Sequence, residues 1–475
     1  MLTQIERLNC SIKNYEWGKL GKNSEVARLF VEGHDNVEID DNIPYAELWI
    51  GTHPDGPSKI ITKNVQLSEL LFDKNKKRNV HLPFIMKIMS IRHTLSLQVH
   101  PTKEQAIQLN KENPFNYPDQ NHKPELAYAL TRFQLLCGFR PLKEILQNMK
   151  AFPELCQAMG YKNTKQFIEL SKIFNSDSYE MIEALKNCFS SMLNFKKENI
   201  NSLITSLIKR INNGVNNGCL TIDTIKIINE MFKQFPNDIG CLSPIYLNHI
   251  ILEPGECVYY GAQELHAYLS GECVECVSCS NNTIRAGLTN KFIDKENLIK
   301  ILNYKMTKPE YYFVNPKPII GYPYILEYKP NCKDFILHSI EINLNEKNGQ
   351  FTIDLPAIEC YSTFILTEGE NIKCIELNKN KNILKQFIAK RGYIFYIPPM
   401  HIIQFIYNNN IKGFRTFSYE DGPDHSKRIL FNNNLINSKL FLNNSNIKQN
   451  KTKLLLNNNS SLNIFDIETE MDGFI

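Results

Sequence analysis

The feature that most narrows the fold is a change of hydrophobic period along the chain. Up to about residue 140, apolar residues come in short runs bounded by Pro, Gly, Asp and His, such as Ala46-Glu47-Leu48-Trp49-Ile50-Gly51 and Phe84-Ile85-Met86-Lys87-Ile88-Met89. Runs of that kind predict strands and turns. From Pro141 the spacing lengthens: Ile200, Leu203, Ile204, Leu207, Ile208 and Ile211 recur at the intervals of an amphipathic helix, with weaker versions through residues 141–194 and 222–235. Strand texture then returns at Tyr246-Leu247-Asn248-His249-Ile250-Ile251-Leu252 and Cys257-Val258-Tyr259-Tyr260, and again in Phe335-Ile336-Leu337-His338-Ser339-Ile340 and Gly392-Tyr393-Ile394-Phe395-Tyr396-Ile397. A helical block thus reads as an insertion between two strand-rich halves. Many short strands parted by turn residues predict a mainly β fold of barrels or jelly rolls.

At 475 residues the chain is long enough for about three domains of ordinary size. A net charge of +4 over that length is a weak field that calls for neither nucleic acid nor an anionic membrane. No apolar stretch approaches the roughly 18 residues of a membrane helix, and the opening Met-Leu-Thr-Gln-Ile-Glu-Arg lacks the apolar core of a signal peptide. A cytoplasmic protein is expected. Thirteen cysteines, an odd number scattered over a long chain, then read as free thiols. After Arg428 the chain becomes rich in Asn, a low-complexity tail with no expected part in chemistry.

Within the first half, Leu95, Leu97 and Val99 alternate with Ser96, Gln98 and His100. Period two puts the first three on a dry face and the second three on the other. Pro101 ends the strand, having no amide hydrogen to give a ladder. A lone Gln-x-His pair is ordinarily just a half-buried strand, but two further segments add to it. Pro124 biases Lys123 away from helical geometry, so Lys123 and Glu125 share a face of an extended segment. Glu264, His266 and Tyr268 do the same after the Pro254-Gly255 turn. Gln98, His100, Glu125 and His266 together make a mixed oxygen and nitrogen donor set suited to a divalent metal, with two imidazoles and a carboxylate fitting zinc. By chemistry alone Gln98 is the weakest member. Cys273, Cys276 and Cys279 are a decoy: their Val-rich interior favours a strand, on which the sulfurs point to both faces. Glu275 and Arg285 remain as an acidic group near His266 and a fixed cationic fork for an anion.

Five segments carry a family resemblance: Pro44-Tyr45-Ala46-Glu47-Leu48-Trp49-Ile50-Gly51-Thr52-His53-Pro54, Ser96-Leu97-Gln98-Val99-His100-Pro101, Tyr117-Pro118-Asp119-Gln120-Asn121-His122-Lys123-Pro124-Glu125, His266-Ala267-Tyr268-Leu269-Ser270-Gly271 and Arg285-Ala286-Gly287-Leu288-Thr289. In that order, and with Tyr15-Glu16-Trp17-Gly18 before them, they resemble the motifs of the type I phosphomannose isomerases. The resemblance spans residues 1 to about 300 and fades through the helical block and beyond. It implies two cupin-like jelly-roll barrels plus a helical domain. The catalytic barrel would take residues 1–140 and 241–317, the helical insertion 141–240, and a second barrel without metal 318–425, leaving the tail at 426–475. It implies one zinc per chain on Gln98, His100, Glu125 and His266. Catalytic roles fall to Arg285, Glu275 and Lys123, with the base left open between the last two. Substrate-binding positions are Lys87, Ser96, Tyr268, Lys291, Trp17 and His53. The implied reaction interconverts mannose 6-phosphate and fructose 6-phosphate through a cis-enediol, in a monomer whose partner is a small sugar phosphate. An iron-dependent cupin oxygenase and a non-enzymatic sugar-phosphate binder are the rival readings. The apolar stripe of the insertion is explained by packing on the barrel rather than by a protein partner.

Overall fold

The computed structural model describes residues 4–73, 78–214, 218–344 and 351–422, so the Asn-rich tail at 426–475 lies outside the described residues. Ten strands form the sheet that carries the site. They are Ser11–Lys13 (β1), Glu47–Gly51 (β2), Phe84–Ile91 (β3), Leu97–Val99 (β4), Glu125–Ala129 (β5), Phe133–Phe139 (β6), Leu247–Leu252 (β7), Cys257–Tyr260 (β8), His266–Ser278 (β9) and Ile284–Gly287 (β10). The main path runs β7-β6-β9-β3-β2-β1, while β4 pairs with β9 and β10, and β5 with β8 and β9. Its ladders are antiparallel. The strand-rich reading with an inserted helical block therefore holds.

Strand β9 is the hub, and Gly271 is where it bends. Before the glycine, β9 pairs with β6; after it, β9 pairs with β3 and β5. Gly271 has φ +112°, and a Cβ there would stand 2.6 Å from the carbonyl oxygen of Arg132. Only glycine fits such a backbone without strain. The bend lets one strand carry His266 in one ladder and Glu275 in another. Gly271→Ala should cost at least about 1–3 kcal/mol from the backbone conformation alone, read as a lower urea midpoint; an unchanged midpoint would show that the bend relaxes freely.

The inserted block is six helices: Leu142–Ala151, Pro153–Met159, Tyr161–Leu170, Tyr179–Leu193, Lys197–Asn212 and Ile222–Gln234. In the fifth, the stripe read from the sequence is buried at Ile200, Leu203, Ile204, Leu207 and Ile211. These helices share one core with Leu97 and Val99 of β4 and Ile284 and Ala286 of β10. Each such buried side chain contributes about 1.5–3 kcal/mol. The insertion thus braces, from behind, the two strands that bring Gln98 and Arg285 to the site.

Among the described residues, six C-terminal strands join Glu6–Asn9, Lys59–Ile60 and Val65–Gln66 in a nine-stranded sheet, and four more form a second sheet, around a core that includes Ile340, Phe364, Cys374 and Phe405. The opposite face of the nine-stranded sheet, through Leu337, Ile365 and Phe414, packs on Met86, Ile88 and Cys276 of the first sheet. The N-terminal strand Glu6–Asn9 belongs to this second half, with Glu6 opposite Tyr396. Three α-helices interrupt the stretch read as strands and loops: Glu25–Gly33 and Lys103–Glu112, with the side-chain N-caps Ser24 and Thr102, and the single turn Leu67–Leu70. Among the described residues no helix is long and apolar enough to cross a membrane. All thirteen cysteines are free thiols.

Candidate metal centre

The regular part of the Leu95 to His100 run is only β4, and its register selects the neighbours of Gln98. Leu97 and Val99 are buried in the helical core, so Gln98 turns the other way. It lies opposite His266 on β9 and Arg285 on β10. Residues directly opposite across a ladder rise from one face, so these three side chains share a side. His100 follows β4 and is buried, not on a wet face. Glu125 opens β5, opposite Tyr260 of β8.

Three of these groups converge. Nε2 of His100 lies 3.1 Å from Oε1 of Glu125, and Nε2 of His266 lies 3.5 Å from Oε2. The donor atoms of all three lie within 4.8 Å of one another. The amide nitrogen of Gln98 stands 3.5 Å from Nε2 of His266, and a half-turn of the amide presents its oxygen there instead. Both imidazoles are set by their other nitrogen. Nδ1 of His100 bonds the carbonyl of Asn282 at 2.7 Å, and Nδ1 of His266 bonds the carbonyl of Glu264 at 2.9 Å. A ring that donates from Nδ1 offers the lone pair of Nε2.

The electrostatics agree. Burial pushes His266 down to about 4, against the pull of Glu125, and burial with the charge of Lys123 lowers His100. Both rings are therefore neutral near pH 7, as ligands must be. Burial opposes the charge of Glu125, but His100, Lys123 and His266 outweigh it and hold its carboxyl well below the usual range. Despite its burial, Nε2 of His100 makes no directed hydrogen bond. A buried polar atom without a bond marks a place for an unseen partner. Two neutral nitrogens, a carboxylate and an amide oxygen fit a divalent ion of the zinc type.

The other expected residues surround this trio at different distances. Lys123 reaches Oε1 of Glu125 at 3.6 Å, as the shared face predicted. Lys87 of β3 lies opposite Glu275 of β9, and its Nζ is 3.0 Å from Glu275 and 3.5 Å from Glu47. A buried ammonium is costly without an anion, and the chain itself supplies one. Burial opposes the charge of Lys87, but Glu275 and Glu47 overcome that and raise its pKa. Burial likewise raises Glu275, with Lys87 opposing. Arg285 and Lys291 line a cleft of 240 Å³ together with Tyr117, Asp294, Phe115 and Phe292. Tyr268 is buried with its hydroxyl unpartnered, in the cluster against which Trp17 and Leu95 pack. Ser96 is half-buried beside β4, and His53 stands edge-on to Trp49 at 5.4 Å.

One expectation fails. Glu264 does not join His266 at the site, because β9 starts only at His266 and leaves Glu264 outside the strand. Its carboxylate turns to Tyr312 at 2.9 Å and Asn303 at 2.8 Å. The decoy reading holds: Cys273, Cys276 and Cys279 enter three different clusters. Several supporting residues went unassigned. Tyr260 donates to Oε2 of Glu125 at 2.7 Å, and Trp49 donates through Nε1 to Glu47. Asp119 accepts from Ser280 at 2.9 Å and from the side chain of Asn282 at 3.0 Å, tying the Lys123 loop to the Asn282 loop. All lay in or beside motifs already singled out, but only strand register reveals their contacts.

Comparison with known proteins gives the same picture. The description "phosphomannose isomerase type I, catalytic domain" matches residues 5–142, and "phosphomannose isomerase type I, helical insertion domain" matches residues 158–247. The chain is 41% identical over 347 residues to the mannose-6-phosphate isomerase of Rattus norvegicus, covering 70% of this chain and 81% of that protein. It is 34% identical over 379 residues to mannose-6-phosphate isomerase 1 of Arabidopsis thaliana, covering 77% and 84%. A crystal structure of a phosphomannose isomerase mutant from Salmonella typhimurium superposes with a TM-score of 0.69 at 25% identity, over 88% of this chain and all (100%) of that one. A zinc-bound mannose 6-phosphate isomerase has the same fold, with a TM-score of 0.68 at 23% identity over 88% of this chain and 100% of that one. This chain belongs to the type I phosphomannose isomerase family.

Proposed function

We propose that the chain is a zinc-dependent isomerase interconverting mannose 6-phosphate and fructose 6-phosphate, a reaction that supplies mannose for GDP-mannose. The observation that carries the reading is the meeting of His100, Glu125 and His266, remote in sequence, around one point with both Nδ1 atoms already engaged. Gln98 completes the ligand set. Zinc bound there supplies a positive charge able to polarise a carbonyl or acidify a water.

The chain's own residues divide the remaining work. An aldose and a ketose differ by a proton moved between C2 and C1, through a cis-enediol. Glu275 is the better candidate to carry that proton, because burial raises its pKa toward the working range of a general base. Lys123 is the alternative, and Lys87 holds the Glu275 carboxylate in place. Arg285 faces the charge that develops on the enediolate oxygen. Lys291 and the cleft it lines take the phosphate. Ser96 and Tyr268 meet sugar hydroxyls, and Trp17 and His53 border the site. Cupin-like jelly rolls describe the two strand-rich halves, with the metal in the first; the proposed domain limits are 1–140 with 241–317, 141–240 and 318–425, with Glu6–Asn9 lent to the last. A cytoplasmic monomer completes the reading.

A coupled assay for fructose 6-phosphate formed from mannose 6-phosphate tests it. Activity should vanish on chelation and return with zinc. Saturable sugar-phosphate binding without conversion would replace the enzyme with a binding protein. Bound iron with oxygen uptake would replace it with an oxygenase.

A further inference from the structure

The two oxygens of Glu125 have different surroundings. Oε1 lies 3.1 Å from Nε2 of His100 and 3.6 Å from Nζ of Lys123. Oε2 accepts the hydroxyl hydrogen of Tyr260 at 2.7 Å and lies farther, 3.5 Å, from Nε2 of His266. That bond is built into the fold, because Tyr260 and Glu125 stand directly opposite in the β5–β8 ladder and rise from one face. The Tyr260 ring is buried 4.4 Å from the ring of His266. The hydroxyl has one hydrogen to give, and this bond gives it to Oε2. A buried hydroxyl does not readily abandon its partner, since no water replaces it.

We propose that Tyr260 is a positioning residue that keeps Glu125 a one-oxygen donor: its hydroxyl occupies Oε2 and leaves Oε1 to the metal. The inference rests on the metal reading above. Its consequence is room at the ion, because a carboxylate that gives one oxygen leaves a position for water or sugar that a two-oxygen carboxylate would fill.

The test uses the full chain, stripped of metal by chelation. Zinc affinity is read by competition with a chromophoric chelator, and coordination by the visible absorption of the cobalt(II) form. Tyr260→Phe should bind zinc about 10–100-fold more weakly, the usual effect of losing an outer partner of a ligand. Its cobalt bands should dim as the freed Oε2 joins the ion and raises the coordination number. An unchanged cobalt spectrum overturns the proposal whatever the affinity does. If Tyr260→Phe fails to fold, Tyr260→Leu, which fills the same apolar pocket without a hydroxyl, must show the same two changes. A wild-type chain that takes up neither zinc nor cobalt would overturn the metal reading itself, and this inference with it.

Discussion

His266→Ala is expected to empty the metal centre and abolish isomerisation together. The side chain is buried, its Nδ1 is held by the carbonyl of Glu264 at 2.9 Å, and its Nε2 is aimed at Glu125. Of the two residues opposite His266, Gln98 already belongs to the proposed ligand set, and burial, with Glu264 and Glu125 nearby, holds the Cys137 thiol well above its usual range, so neither readily replaces that nitrogen. Zinc affinity should fall by more than the roughly 10–100-fold typical of an outer-shell loss. Turnover should drop by about three orders of magnitude or more, since the polarising charge goes with the ion. Metal analysis after dialysis and the coupled assay read the two effects separately. The informative control is Glu264→Gln, which alters a carboxylate two residues away but keeps the carbonyl that orients His266. It should retain stoichiometric zinc. A His266→Ala protein that kept both zinc and normal turnover would dismantle the ligand set.

Why the meeting of His100, Glu125 and His266 was readable in advance, while its support was not, comes down to range. Gln98, His100, Glu125 and His266 sit in short local patterns, where alternation or a following Pro settles which way a side chain points. The helical insertion was equally plain, because Ile200 to Ile211 repeat over three turns. Contacts that depend on how distant strands register were invisible. Tyr260 meets Glu125 only because β5 and β8 pair in one register, and Lys87 finds Glu275 only because β3 and β9 do. Glu6–Asn9 could not be placed in the C-terminal sheet from local pattern, since its partner strand lies some 390 residues away. Glu264 was misplaced for a local reason: alternation was carried back past His266, where the strand begins. The helix at Lys103–Glu112 had its signal in plain sight. Thr102 and Gln105 form a capping box directly after Pro101.

Arg285→Ala should lower turnover by about two to three orders of magnitude, the usual cost of removing one preorganised donor from a developing oxyanion. Arg285 stands opposite Gln98 and also lines the cleft with Tyr117 and Lys291, so it lies between the candidate metal centre and the cleft proposed for the phosphate. Those two surroundings assign it different kinetics. If it serves the enediolate, kcat and kcat/KM fall together; if it only grips the phosphate, KM rises and kcat holds. Lys291→Ala should supply the second pattern for comparison, because Lys291 lines the cleft but belongs to no strand that pairs with those of the metal ligands. Zinc content separates both variants from His266→Ala. Neither side chain donates to the ion, and removing a cation beside the centre cannot weaken its hold on another cation. Arg285→Lys keeps the charge but loses the planar fork, so it should recover only part of the rate. Full recovery would mean that charge alone matters there, and a rise in KM with unchanged kcat in Arg285→Ala would move the residue to the phosphate.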